Sequence, residues 1–301
     1  MENHNDVSIA SSAMLVELSV SCWTARKLDK RVSAEVDVNK NTKTNAGNYN
    51  KNLLAGTGFL DTINKYAANI RAWHISQTLP WSDNGSRLLP VSNFISYKEN
   101  LSKLEENFNA LVQKFLIAYP NLVSAAAFQL GDLFNREEYP DADKIASKFK
   151  LNVSFFPVPT AGDFRISTHQ EAMTEAIESC QKAYEQRLNN AMGEAWHRLH
   201  ECLTRMSDRL TIDLVDSEED DGGTGRKFKP RVFRDSLIEN AVELTGLLKH
   251  FNLTNDADME RARTMLEESI YGIDADDLRE NDSQREEIKN KVDAILNKFN
   301  F

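Results

Sequence analysis

The stretch Trp73–Tyr97, WHISQTLPWSDNGSRLLPVSNFISY, decides the fold. It interrupts a chain otherwise patterned for helices with two Trp, two Pro and an Asn-Gly pair. Asp83-Asn84-Gly85 stands between Leu79-Pro80-Trp81 and Arg87-Leu88-Leu89. Asn-Gly accepts the positive φ angles of a type I′ turn, so this block predicts a small hairpin or tight loop joining two long helices.

On its C-terminal side the block runs into the clearest helix of the chain. Phe94, Tyr97, Leu101, Leu104, Phe108, Leu111 and Phe115 alternate at intervals of three and four, the a/d seam of a helical hairpin or coiled coil. Pro120 is expected to end that helix, with a shorter one over 122–134. On the N-terminal side, Leu60, Ile63, Ala67 and Ile70, with Trp73 or His74, predict a helix over about 57–77.

Further out, residues 1–12 are polar and expected to be disordered. Val16, Leu18, Val20 and Cys22 alternate with polar residues and predict a strand. Thr24 is the expected cap of a helix carrying Ala25, Leu28, Val32 and Val36 on one face. Residues 39–52 read as a loop. A short helix is expected over 141–149. Leu151, Val153 and Phe155 form one β-like run, and Phe164 and Ile166 a second that pairs with it. From Thr168 to Leu214 an apolar residue recurs every three or four positions with no proline, predicting one helix of about 45 residues, roughly 65 Å long. The helices 92–118 and 168–214 are the natural antiparallel partners. DSEEDDGGTG (216–225) is expected to be a flexible loop. Helices are then expected over 232–251, 256–270 and 282–299, with Asp256 and Asp282 as caps and Asp274 capping a short turn near Leu278.

The expected fold class is therefore mainly α: an elongated helical bundle or antiparallel coiled-coil hairpin with small β-hairpin insertions. Residues 13–301 are read as a single elongated helical domain, with a long-helix core at about 57–214, a flexible acidic loop at 215–226 and C-terminal helices at 231–301. No internal repeat is evident.

Composition narrows the class. A formal net charge of -10 favours solubility and opposes loose attraction to nucleic acid unless cations cluster locally. Cys22, Cys180 and Cys202 are odd in number, far apart and form no CxxC, so neither a disulfide framework nor a zinc site is indicated; a reducing compartment is expected. The N-terminus shows no signal-peptide pattern, and the longest apolar run, near 122–130, is far short of the ~20 residues of a membrane span.

Several clusters carry functional alternatives. Trp81 is either packing within the connector or an exposed hot spot at its tip, with Arg87 beside it as a joint or a partner contact. The segment 26–51 holds seven Lys or Arg against Asp29, Glu35 and Asp37, and Arg26 and Lys27 are its candidate partner-docking residues; the alternative is a solvated helix face. Arg226, Lys227, Lys229, Arg231 and Arg234, interleaved with Phe228 and Phe233, combine charge and aromatic rings as single-strand nucleic-acid binding does. The same cations could instead neutralise the five acids of 216–221. His197 and His200, with Glu194 and Glu201, could hold a metal, but the order is neither HExxH nor HxxEH and no further ligand stands out. Cys202 lies within about a turn and a half of His197, the makings of a thiolate pair, though a helix seldom points both groups at one substrate. Gly222–Lys227 lacks the spacing of a phosphate loop, and Asp274, Asp276 and Asp277 do not make a calcium loop. No catalytic signature and no cofactor site emerge.

Trp23–Lys30 (WTARKLDK), Thr42-Lys43-Thr44, Ala46–Tyr49, Lys51-Asn52-Leu53-Leu54, Leu79–Asp83 and Gly85–Pro90 together resemble an uncharacterised family of tailed-phage and mobile-element proteins. The likeness extends to Gly162–Arg165, Arg198-Leu199-His200, Ala294-Ile295-Leu296 and Lys298-Phe299; the acidic loop departs from the pattern. Such proteins are often encoded near MoxR/CobS-like AAA+ ATPases and CobT-like von Willebrand A proteins. The resemblance implies a phage protein of the host cytoplasm, working in such an ATPase assembly, and brings no catalytic residues. The leading expectation is a non-enzymatic adaptor or scaffold that self-associates or docks a protein partner. The alternatives are a nucleic-acid-associated replication, recombination or anti-defence factor, and a metal-dependent hydrolase.

Overall fold

The computed structural model describes residues 9–83, 85–159, 170–218 and 224–299. The chain is mainly α with small antiparallel sheets. In order, the elements are α1 (Ile9–Ser12), β1 (Ala13–Ser21), β2 (Arg26–Leu28), α2 (Lys30–Asn39), β3 (Asn50–Asn52), α3 (Phe59–Ser76), β4 (Leu79–Pro80) and β5 (Arg87–Pro90). Then follow α4 (Phe94–Leu130), α5 (Ala142–Ala146), β6 (Lys150–Pro157), α6 (Gln170–Leu210), β7 (Ile212–Glu218) and β8 (Thr224–Pro230). The chain closes with α7 (Ser236–Phe251), α8 (Ala257–Ile270), α9 (Ala275–Glu280) and α10 (Asp282–Lys298). The fold divides into two compact units, a finer division than the periodicity suggested: one of Met1–Val16, Gln77–Phe94 and Phe155–Phe301, the other of Glu17–Ser76 and Ile95–Ser154.

In the first unit the connector is a hairpin. Leu79 pairs with Leu88 and Pro80 with Arg87, and β5 continues onto β1 with Ala13 opposite Pro90. Gly85 takes φ +96, while Asn84 of the expected turn lies outside the described residues. The hairpin serves the core: Leu79, Trp81 and Leu88 join Ala191, Ala195, Leu199, Leu203, Met206 and Leu210 of α6 in one cluster with the buried faces of α7, α8 and α10. The helix caps are chemical. Asp256 accepts from Asp258 N and Met259 N to start α8, and Asp274 accepts from Asp276 N to start α9. α10 is capped by Asn281 rather than the expected Asp282, which sits in the first turn.

The end of α6 is held by a buried arginine. Arg285 of α10 donates from Nε to Leu210 O at 3.0 Å and from Nη2 to Arg209 O at 2.7 Å, and also reaches Arg231 O. Its guanidinium lies over the Phe233 ring at 5.1 Å. The last carbonyls of a helix have no intrahelical partner, and this side chain supplies one. Part of the expected flexible loop is strand. Asp216–Glu218 and Thr224–Gly225 are strand, paired in the β7–β8 ribbon, and 219–223 lie outside the described residues.

In the second unit α3 and α4 run antiparallel. Trp73 stacks on Tyr97 at 4.9 Å where α3 ends and α4 begins, and Gly56, ahead of α3, lies beside the Gln129 side chain near the end of α4. Leu60, Ile63, Ala67 and Ile70 pack with Phe108, Val112, Phe115, Tyr119, Val123 and Ala126. α6 carries the core of the first unit and α4 that of the second. Pro120 does not end α4. It falls on the exposed face, and the buried stripe continues through Val123 and Ala126, so core packing outweighs one lost backbone hydrogen bond. By length and composition alone, Val91–Leu133 is the one segment among the described residues that could cross a membrane.

Two further expectations are corrected. Residues 9–12, expected to be disordered, form the short helix α1. Thr24 does not cap a helix: Ala25 adopts φ +49, β2 follows, and Asp29 caps α2 by accepting from Arg31 N and Val32 N. The proposed stripe could not have been a core face, because Leu28 and Val36 are exposed. β6 confirms the first β-like run and lies beside β1 in the order β4-β5-β1-β6; Phe164 and Ile166 lie outside the described residues.

Candidate protein-interaction site

The phrases WTARKLDK and NKNLL, distant in sequence, form one structure. β2 and β3 pair antiparallel, with Arg26 opposite Asn52, Lys27 opposite Lys51 and Leu28 opposite Asn50. Leu53 N donates to Ala25 O at 2.8 Å, and Asp29 N donates to Tyr49 O at 2.9 Å, closing the ribbon at both ends. Beneath it lies a buried cation. Lys51 Nζ is 3.2 Å from Asp29 Oδ2 and 2.7 Å from Glu138 Oε2, and it donates to Leu133 O at 2.9 Å. Tyr139 completes the clamp by donating to Leu53 O at 2.8 Å.

The electrostatics fit this geometry. Burial pulls the Lys51 ammonium down, but its contacts with Glu138 and Asp29 outweigh burial and raise it above its ordinary range. Asp29 is held below the usual carboxylate range, first by the Val32 N–H, against burial, and further by Lys51. One acid thus does two jobs: it caps α2 and anchors Lys51.

The exposed side of this frame carries cations. Arg26, Lys27, Lys30 and Arg31 all face solvent within six residues, and Arg31 also lies 3.7 Å from Glu35. Arg26 borders a cavity of about 220 Å³ shared with Thr24, Asn52, Gly56, Thr57 and Asn64. Sequence reasoning chose Arg26 and Lys27 but missed the frame. The signal was present in Lys51, a lysine beside the apolar Leu53-Leu54, but its acids lie 22 and 87 positions away.

The other predicted residues fall elsewhere. Trp81, considered as an exposed hot spot, is 4% exposed and meets Tyr184 edge-on at 5.5 Å. It is buried packing within its unit, because the hairpin turns its apolar face onto α6. Arg87 is half-buried; Nε donates to Thr78 Oγ1 at 2.7 Å and Nη2 to Thr78 O at 3.0 Å. Arg198 donates to the same carbonyl at 3.1 Å. Burial and then the neighbouring Arg198 charge lower the Arg87 guanidinium, with Glu194 opposing.

The basic segment lies along and beyond β8. In register, Arg226 stands opposite Asp216, Lys227 opposite Val215 and Lys229 opposite Asp213; the side chains of 214–228 lie outside the described residues. Arg231 is committed within the protein: Nε lies 2.8 Å from Asp213 Oδ2, and Nη1 meets Asp208. Arg234 is exposed. Acids thus face much of the segment.

His197 is exposed, with Nε2 3.7 Å from Glu201, and His200 is half-buried. No group of three or more His, Cys, Asp or Glu stands close enough to hold a metal among the described residues. Burial pushes the Cys202 thiol up to about 11, Arg205 opposing, so it stays protonated near neutrality. That removes the physical basis for a Cys202–His197 thiolate pair.

Compared with known proteins, the chain matches no family model, no curated protein and no solved structure.

Proposed function

We propose that the protein is a non-enzymatic adaptor that docks an acidic protein surface through the exposed Arg26–Lys27 edge. The observation that carries this is the buried Lys51 bridge, which fixes the ribbon beneath those cations. Long basic side chains on a mobile loop lose conformational freedom on binding, and a braced ribbon pays less of that cost. The helical hairpin of α3 and α4 serves as the scaffold, in keeping with the coiled-coil pattern of the sequence. The resemblance to phage and mobile-element proteins supplies the class of partner, a MoxR-like AAA+ ATPase in the host cytoplasm.

Affinity capture with the wild-type chain and with the Arg26→Glu/Lys27→Glu variant, run in parallel and quantified by mass spectrometry, tests this. An AAA+ ATPase recovered with the wild type and depleted about tenfold or more with the variant supports it. Equal recovery by both, or no ATPase with either, sinks it. The nucleic-acid alternative has its own support in β8, which sets Arg226, Lys227 and Lys229 along one extended strand. It requires single-stranded DNA binding that weakens steeply with salt and is lost on replacing those three cations.

A further inference from the structure

We draw no further inference here: the strongest candidate, the cavity of about 220 Å³ between Arg26 and the Gly56-Thr57-Gly58 turn at the start of α3, rests on a helix N-terminus, and no second feature among the described residues points to what it would bind.

Discussion

Replacing Lys51 with Met keeps the length of the side chain and removes one buried charge with its three contacts. Asp29 and Glu138 then lose their shared cation, although Asp29 keeps the N–H groups of Arg31 and Val32. Removing one partner of a buried ion pair costs about 3–5 kcal/mol. The two acids retain side-chain exposures of 13% and 18%, so water recovers part of their solvation and the loss falls at the lower end, about 3 kcal/mol. Two units need not unfold together, so hydrogen exchange read on peptides spanning 26–52 is the proper assay. A loss of this size lowers amide protection roughly a hundredfold, at tenfold per 1.4 kcal/mol. The pH dependence follows from the two ends of the bridge. Asp29 is depressed on folding, so its contribution is present above its ordinary value of 3.8 and disappears as pH falls through the lower folded value. Lys51 is raised on folding, so its contribution is intact below its ordinary 10.5 and disappears only as pH climbs past the higher folded value. The gap between wild type and Lys51→Met is therefore flat from about pH 5 to about pH 9 and narrows outside. A change below tenfold at pH 7, or an equal loss at pH 2.5 and pH 7, refutes the reasoning.

Arg285→Lys and Arg285→Met are both expected to destabilise the unit holding α6 by about 2–4 kcal/mol in urea titration, because an ammonium cannot reproduce the fork that reaches Leu210 O, Arg209 O and Arg231 O; a lysine variant as stable as wild type contradicts this. Trp81→Ala is expected to cost about 3–5 kcal/mol in the same titration, and a change within 1 kcal/mol would mean that the connector does not build the core. Thiol titration is expected to modify exposed Cys180 promptly and Cys202 only after unfolding or above about pH 10, in line with its raised thiol; fast labelling of native Cys202 at pH 7 rules that out.

Much of the fold was legible where one periodicity ran unbroken. The stripe of α3 appears as read, as do the hairpin at Leu79–Pro90 and the caps at Asp256 and Asp274. α4 is a helix, but its buried face drifts to Val112 and Tyr119 rather than keeping Leu111, and α6 ends at Leu210, with Ile212–Leu214 of the expected helix taken into β7. The failures share a cause: local signals were outvoted by long-range pairing. Pro120 reads as a stop, yet the stripe beyond it is buried against distant chain. Thr24-Ala25 reads as a helix start, yet Asn50–Asn52 captures 26–28 as a strand. The glycines of 222–225 read as loop, while the strand before them and the cations after them pair across it. Division of the helices between two cores left no local mark, since an apolar stripe does not name its partner. The candidate site was half visible: Arg26 and Lys27 stood out by charge, but the bridge that braces them joins positions 29, 51 and 138, a combination no spacing rule encodes.

The braced Arg26–Lys27 edge is the proposed docking surface of an adaptor. Titration calorimetry of the purified chain against a MoxR-like AAA+ ATPase, the partner proposed for it, compares wild type with Arg26→Glu/Lys27→Glu. Binding is expected to weaken with salt and to fall about tenfold or more in the variant, with the fold unchanged by circular dichroism. Equal affinity for both chains, or no heat of binding with the wild type at low salt, contradicts it.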